Sequence, residues 1–145
     1  MSSFTPLRLI AKDLEDIKVL SSCVQDAILP LKEMAFIPEE QQFALLIQRF
    51  CWECTQIDKT EINQDNIKRI HSALIFSHIS SYKTIGIEEN MDILELLAIQ
   101  TPDKNSMTLH FAGGASINLK FTSIHVKLED VGSPWTVSHI PKHKI

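Results

Sequence analysis

The stretch Met107–Phe121, MTLHFAGGASINLKF, sets its own backbone register. Apolar residues alternate on both sides of a double glycine, so the chain folds back here as two antiparallel strands. A two-residue Gly-Gly turn would put Leu109 opposite Asn118 and Met107 opposite Lys120, mixing the two faces. A three-residue turn, Ala112-Gly113-Gly114, instead pairs Phe111 with Ala115, Leu109 with Ile117 and Met107 with Leu119. The apolar face then stays whole, and Gly114 takes the left-handed position of the accompanying bulge. A phosphate-cradling loop would need a helix opening directly after the glycines, and ASINLKF alternates like a strand. These glycines turn a chain.

The other elements follow from the same patterning. LRLIA near the start is a short strand. KDLEDIKVLSSCVQDAILP predicts one long helix, Leu14 to Ile28, with Asp13 as N-cap and Glu15 and Asp16 in its first turn. Its apolar stripe is Leu14, Ile17, Leu20, Val24 and Ala27, and Pro30 stops it. KEMAFI and QFALLIQRF form a hairpin around PEEQ, with Phe36 opposite Phe43 and Met34 opposite Leu45. IKRIHSALIFSHIS is expected as one strand, apolar on both faces and therefore central. Thr55–Asn66 and Ser81–Met91 are expected as surface loops, and DILELLAIQ as a further strand.

After Phe121 the apolar parity shifts to Ile124, Val126 and Leu128, as a bulge at Thr122-Ser123 would produce. A helical spacing of Phe121, Ile124, Leu128 and Val131 competes, and the strand is preferred. Residues 132–145 are expected as an irregular tail pinned by Trp135. The predicted fold is therefore α+β, in one domain over 1–145. A mainly antiparallel, strongly bent sheet of about seven strands packs one face on a long N-terminal helix, and a second layer or barrel-like closure buries the other face.

Composition enters as a set of exclusions. The chain has 145 residues, 44% of them hydrophobic and 22% charged, which suits one domain with a real core. Its 14 basic and 18 acidic residues give a net charge of −4, which disfavours nucleic acid as a partner. No apolar run reaches the roughly 20 residues of a membrane span, and the N-terminus lacks a signal-peptide pattern. Cytoplasm is the expected compartment, and the three cysteines, Cys23, Cys51 and Cys54, fit a reducing one. CWEC, Cys51 to Cys54, lacks the second ligand pair of a zinc site and the following helix of a redox pair, so these cysteines are expected to be structural or incidental. No nucleophile elbow or nucleotide-binding motif occurs, and no catalytic residue, metal ligand or cofactor is expected.

The quoted segments together resemble a family of small uncharacterised alphaproteobacterial proteins, a domain of unknown function. The resemblance rests on LRLIAKDLEDIKVLSSCVQDA, RFCWE, LELLAI, LHFAGGASINL and LEDVGSPW, and it spans nearly the whole chain. It takes in Asp13, Glu15 and Asp16, Gln25-Asp26, Arg49-Phe50, Trp52-Glu53 and Trp135. It implies no activity.

Two functional expectations follow. The favoured one is a non-catalytic cytoplasmic interaction module, binding itself or another protein through sheet edges and tryptophan anchors. The alternative is a small-molecule binder or cofactor-free enzyme with a pocket between sheet and helix. The residues expected to serve either role are Arg49, Trp52, Arg69, His71, Tyr82 and Trp135. Arg49 and Arg69, on neighbouring strands, could form a small anion site or pair with surface acids.

Overall fold

A computed structural model describes residues 5–51 and 68–136. Strand β1 (Arg8–Ala11) leads into helix α1 (Leu14–Cys23). Asp13 caps the helix by accepting from the Asp16 N–H at 2.8 Å, and Asp16 Oδ2 accepts in return from the Lys12 N–H at 2.9 Å. The helix ends well before Ile28. Val24 donates to the Leu20 carbonyl at 3.2 Å, and Asp26 turns left-handed at φ 67°. Val24 and Ala27, the last members of the expected stripe, are fully buried all the same. They reach the core from a turn, because Asp26 N–H bonds the Leu96 carbonyl at 2.7 Å and Leu96 N–H bonds the Ala27 carbonyl at 2.8 Å. Those bonds draw the chain into a short strand, β2 (Ile28–Pro30), which pairs with two later strands.

Next come β3 (Met34–Ile37) and β4 (Gln42–Phe50), paired as expected with Phe36 opposite Phe43 and Met34 opposite Leu45. The expected long strand is in fact two, β5 (Lys68–Phe76) and β6 (Ile79–Ile85). His78 lies between them at φ 60°, a conformation that cannot continue a pleated ladder. Residues 81–85, expected as loop, therefore belong to β6. Strands β7 (Ile93–Asp103), β8 (Ser106–Phe111), β9 (Ser116–Phe121) and β10 (Val126–Thr136) complete the described chain. In the glycine hairpin Met107 faces Leu119, Leu109 faces Ile117 and His110 faces Ser116, and Phe111 N–H bonds the Ala115 carbonyl at 2.9 Å. The three-residue turn is the one found.

The described strands form one ten-stranded sheet in the order β1-β10-β5-β4-β2-β7-β8-β9-β6, with β3 attached to β4. Every pairing is antiparallel. The expected α+β fold of about seven strands and one long helix is thus corrected to a mostly antiparallel β fold with a ten-residue helix. The strand preferred after Phe121 exists, but it is not β9 bent by a bulge. Residues 122–125 carry the chain from β9, beside β6, to β10, between β1 and β5. Residues 132–136, expected as irregular tail, continue β10.

One core fills the curl of this sheet. Phe43, Leu45 and Ile47 of β4 and Leu74 and Phe76 of β5 meet Leu96, Leu109, Ile117 and Leu119 from β7, β8 and β9, with Ile17 and Leu20 of α1 among them. The curl brings β6 back toward β3 and β4, where Ile79 N–H bonds the Gln41 carbonyl at 2.8 Å. Among the described residues no ladder joins β6 to β3, so the closure stays open along that seam.

Gly86 guards the end of β6. It sits at φ +72°, and a Cβ there would lie 3.3 Å from Ala115 Cα and 3.5 Å from the Gly114 carbonyl oxygen. Gly113, at φ +83°, has open space around it. Gly86→Ala is therefore expected to cost about 2 kcal/mol, from left-handed strain plus displacement of the β8–β9 turn. Gly113→Ala should cost only the strain, about 1 kcal/mol. Urea titration of both variants checks the order, and equal midpoints would mean the turn gives way freely.

Candidate functional site

Strand alternation decides where each expected residue goes. On β4 the inward row runs Phe43, Leu45, Ile47, Arg49, on β5 Ile70, Ser72, Leu74, Phe76, and on β10 Val126, Leu128, Asp130. Each row thus carries one polar residue inside, and Arg49, Ser72 and Asp130 gather within the curl. Asp130 Oδ1 accepts from Arg49 Nε at 2.9 Å and from Ser72 Oγ at 2.7 Å. Oδ2 accepts from Arg49 Nη2 at 2.7 Å and from the Leu7 N–H at 2.8 Å. Arg49 Nη1 also donates to the Phe50 carbonyl at 3.1 Å.

Arg49 is 1% exposed and Asp130 8%. Burial pushes the Asp130 carboxyl up, but hydrogen bonds from Arg49, Ser72 and Leu7 and the Arg49 charge outweigh it, leaving the group below its ordinary value. A carboxylate that accepts four hydrogen bonds in a sealed interior has no lone pair to offer a substrate. It acts as a clasp, joining the chain ahead of β1 to β4, β5 and β10.

Arg69, His71 and Trp135 lie on the opposite, outward face. Arg69 is opposite Phe50 on one side and Trp135 on the other, and His71 is opposite Gln48 and Val131. The Arg69 guanidinium stacks 3.8 Å over the Phe50 ring and donates from Nη1 to the Gln48 carbonyl at 2.6 Å, with the Asp26 carbonyl at 3.5 Å. It fills the fork where β2, after a single pairing of Ile28 with Gln48, leaves β4. Burial lowers its pKa, and the charges of Glu95 and Asp26 partly restore it. Its Nε has no hydrogen-bond partner among the described residues. His71 is exposed and packs against the half-buried Trp135, ring centres 4.7 Å apart. Arg49 and Arg69 therefore point to opposite faces of the sheet, and no shared anion site forms between them.

Tyr82 is elsewhere, on β6 at the open seam. Its ring lies 5.2 Å from both Phe36 and Phe43, and the residue is 46% exposed. Trp52 and Cys54 fall outside the described residues, as does the loop expected at 55–66. Cys51 is buried and disulfide-bonded, which is at odds with the expectation of thiols kept reduced. The structure thus brings Arg69, His71 and Trp135 together and separates them from Arg49 and Tyr82.

Asp130 is not among the residues expected from the sequence to serve a site. The signal was its parity with Val126 and Leu128, matched by that of Arg49 with Leu45 and Ile47. Two opposite charges ending inward rows on the two strands that flank β5 must meet or unfold the core.

Among the described residues no helix is long and apolar enough to cross a membrane. No curated protein and no solved structure matches the chain. Residues 7–143 match a family model described as a protein of unknown function, DUF2948, and the resemblance drawn from the motifs becomes membership: the chain belongs to that family.

Proposed function

We propose that the chain is a non-catalytic interaction module that accepts an extended segment of another protein as an added strand along β6. One observation carries this. Strand β6 ends the sheet path, and all its residues but Ile79 are exposed. Tyr82 and Ile85, 46% and 60% exposed, offer apolar contact at this edge. An exposed edge of this kind is a template for strand addition, with backbone bonds giving affinity and alternate side chains giving choice. The register names the preferred segment. On the outward face Lys83 sits diagonally from Lys120, since Ser81 is opposite Lys120 and Lys83 opposite Asn118. Acidic residues at the outward positions of the guest would pair with these lysines, and apolar ones at the inward positions would cover Tyr82. The cytoplasmic setting belongs to the same proposal. The acidic, moderately charged composition is compatible with it, and the bonded Cys51 counts against it.

The test is binding of two synthetic peptides, one alternating valine with glutamate and one alternating valine with lysine, followed by backbone amide shifts. The glutamate peptide should shift β6 and β9 amides and bind at least tenfold more tightly, and Lys83→Glu should reverse the order. Equal binding of both peptides, or shifts confined to other strands, would overturn the proposal.

A further inference from the structure

The corner between β5 and β6 meets the link between β9 and β10, and each contributes a histidine. Ser77 N–H bonds the His125 carbonyl at 2.9 Å, and Thr122 N–H bonds the His78 carbonyl at 3.0 Å. The two backbones are thus pinned to each other on either side of the histidines. The rings stand nearly perpendicular, at 86°, with centres 6.2 Å apart. His125 Nδ1 is buried, with no hydrogen-bond partner among the described residues. A buried, unanswered nitrogen is destabilising and calls for an explanation, of which an ion is one. His78 holds φ 60°, a conformation that costs a side-chain-bearing residue free energy.

We propose that His78 and His125 form a two-histidine site for a borderline transition-metal cation. Two imidazoles sharing one ion at roughly 2 Å per bond have ring centres about 5–6 Å apart, close to the separation of these two rings. Neutral imidazole selects copper, nickel and zinc over magnesium and calcium, which prefer oxygen. Among the described residues no third histidine, cysteine or carboxylate joins the pair, so water would complete the coordination. Such a site is exchangeable, unlike a closed structural zinc centre. It would tie the β5–β6 corner to the β9–β10 link and so stiffen the start of the β6 edge.

Calorimetric titration of the full chain with Ni²⁺, Zn²⁺ and Mg²⁺ tests this. His139→Ala/His143→Ala serves as the background, to remove other histidines near the C-terminus. One Ni²⁺ or Zn²⁺ per chain should bind, and Mg²⁺ should not. His78→Asn, which keeps the left-handed corner because asparagine tolerates that conformation, should weaken binding at least tenfold, as should His125→Gln. If His125→Gln fails to fold, His78→Asn decides alone. His110→Ala, an unrelated histidine on β8, should change nothing. Unaltered affinity in His78→Asn, or no binding of either metal to the unsubstituted chain, would overturn the site.

Discussion

Asp130→Ala is expected to destabilise the fold by about 3–5 kcal/mol, the range for removing one partner of a buried ion pair. The cost arises in what is left behind. The Arg49 guanidinium, 1% exposed, loses both of its bonds to the carboxylate, and the Ser72 hydroxyl and the Leu7 N–H lose their acceptor. Replacing both charges should cost far less, because a well-packed apolar pair also removes the desolvation penalty. Arg49→Met/Asp130→Leu is therefore expected to lie within about 2 kcal/mol of the parent. Urea titration of the double-mutant cycle gives the coupling directly. A loss below about 1 kcal/mol in Asp130→Ala would show that water reaches the guanidinium and that the clasp is no interior pair.

The same carboxylate sets an acid limit. Its folded pKa is depressed, so the unfolded chain binds the extra proton more readily as pH falls. The stabilisation is complete above the ordinary aspartate value, about 3.9, and is lost as pH drops through the lower folded value. Asp130→Asn should have a flatter stability profile below about pH 4 than the parent.

The parts of this fold that were legible in the sequence are those where local chemistry and pairing agree. The Gly113-Gly114 hairpin and the Phe36–Phe43 register could be read because only one alignment keeps the apolar face intact, and the structure adopts those pairs. The long helix failed for the opposite reason. Val24 and Ala27 continue a helical spacing and are buried, but Asp26 and the bonds to Leu96 turn the chain into a strand. Apolar spacing records which residues enter the core and does not record the backbone that takes them there. His78 and Gln41 hide corners in the same way, since neither is a glycine or proline and both are left-handed. The candidate residues were legible by type but not by face. Arg49 and Arg69 are twenty residues apart in sequence order and sit on neighbouring strands. Only the register shows that one points into the core and the other out.

Trp135→Ala is expected to lower stability by about 3 kcal/mol, the low end for truncating a large aromatic. Between Val131 and Trp135 the register of β10 against β5 shifts, and Gly132 stands at φ 77° within that interruption. The strand regains β5 only at Trp135 opposite Arg69 and Thr136 opposite Lys68. Two paired positions after a break would fray unless a side chain held them. The indole does this from a half-buried position, packed 4.7 Å from His71. A fully buried indole removes on the order of 200 Å² from water, about 5 kcal/mol, and partial exposure reduces that to the expected figure. His71→Ala should lose about 1 kcal/mol, because the indole keeps its remaining contacts. Denaturant titration measures both, and hydrogen exchange at Lys68 and Arg69 should quicken in Trp135→Ala alone. An unchanged midpoint in Trp135→Ala, with exchange at those two amides also unchanged, would show that the strand end holds itself. The indole would then be surface available to a partner, on the face of the sheet that also presents His71 and Val131.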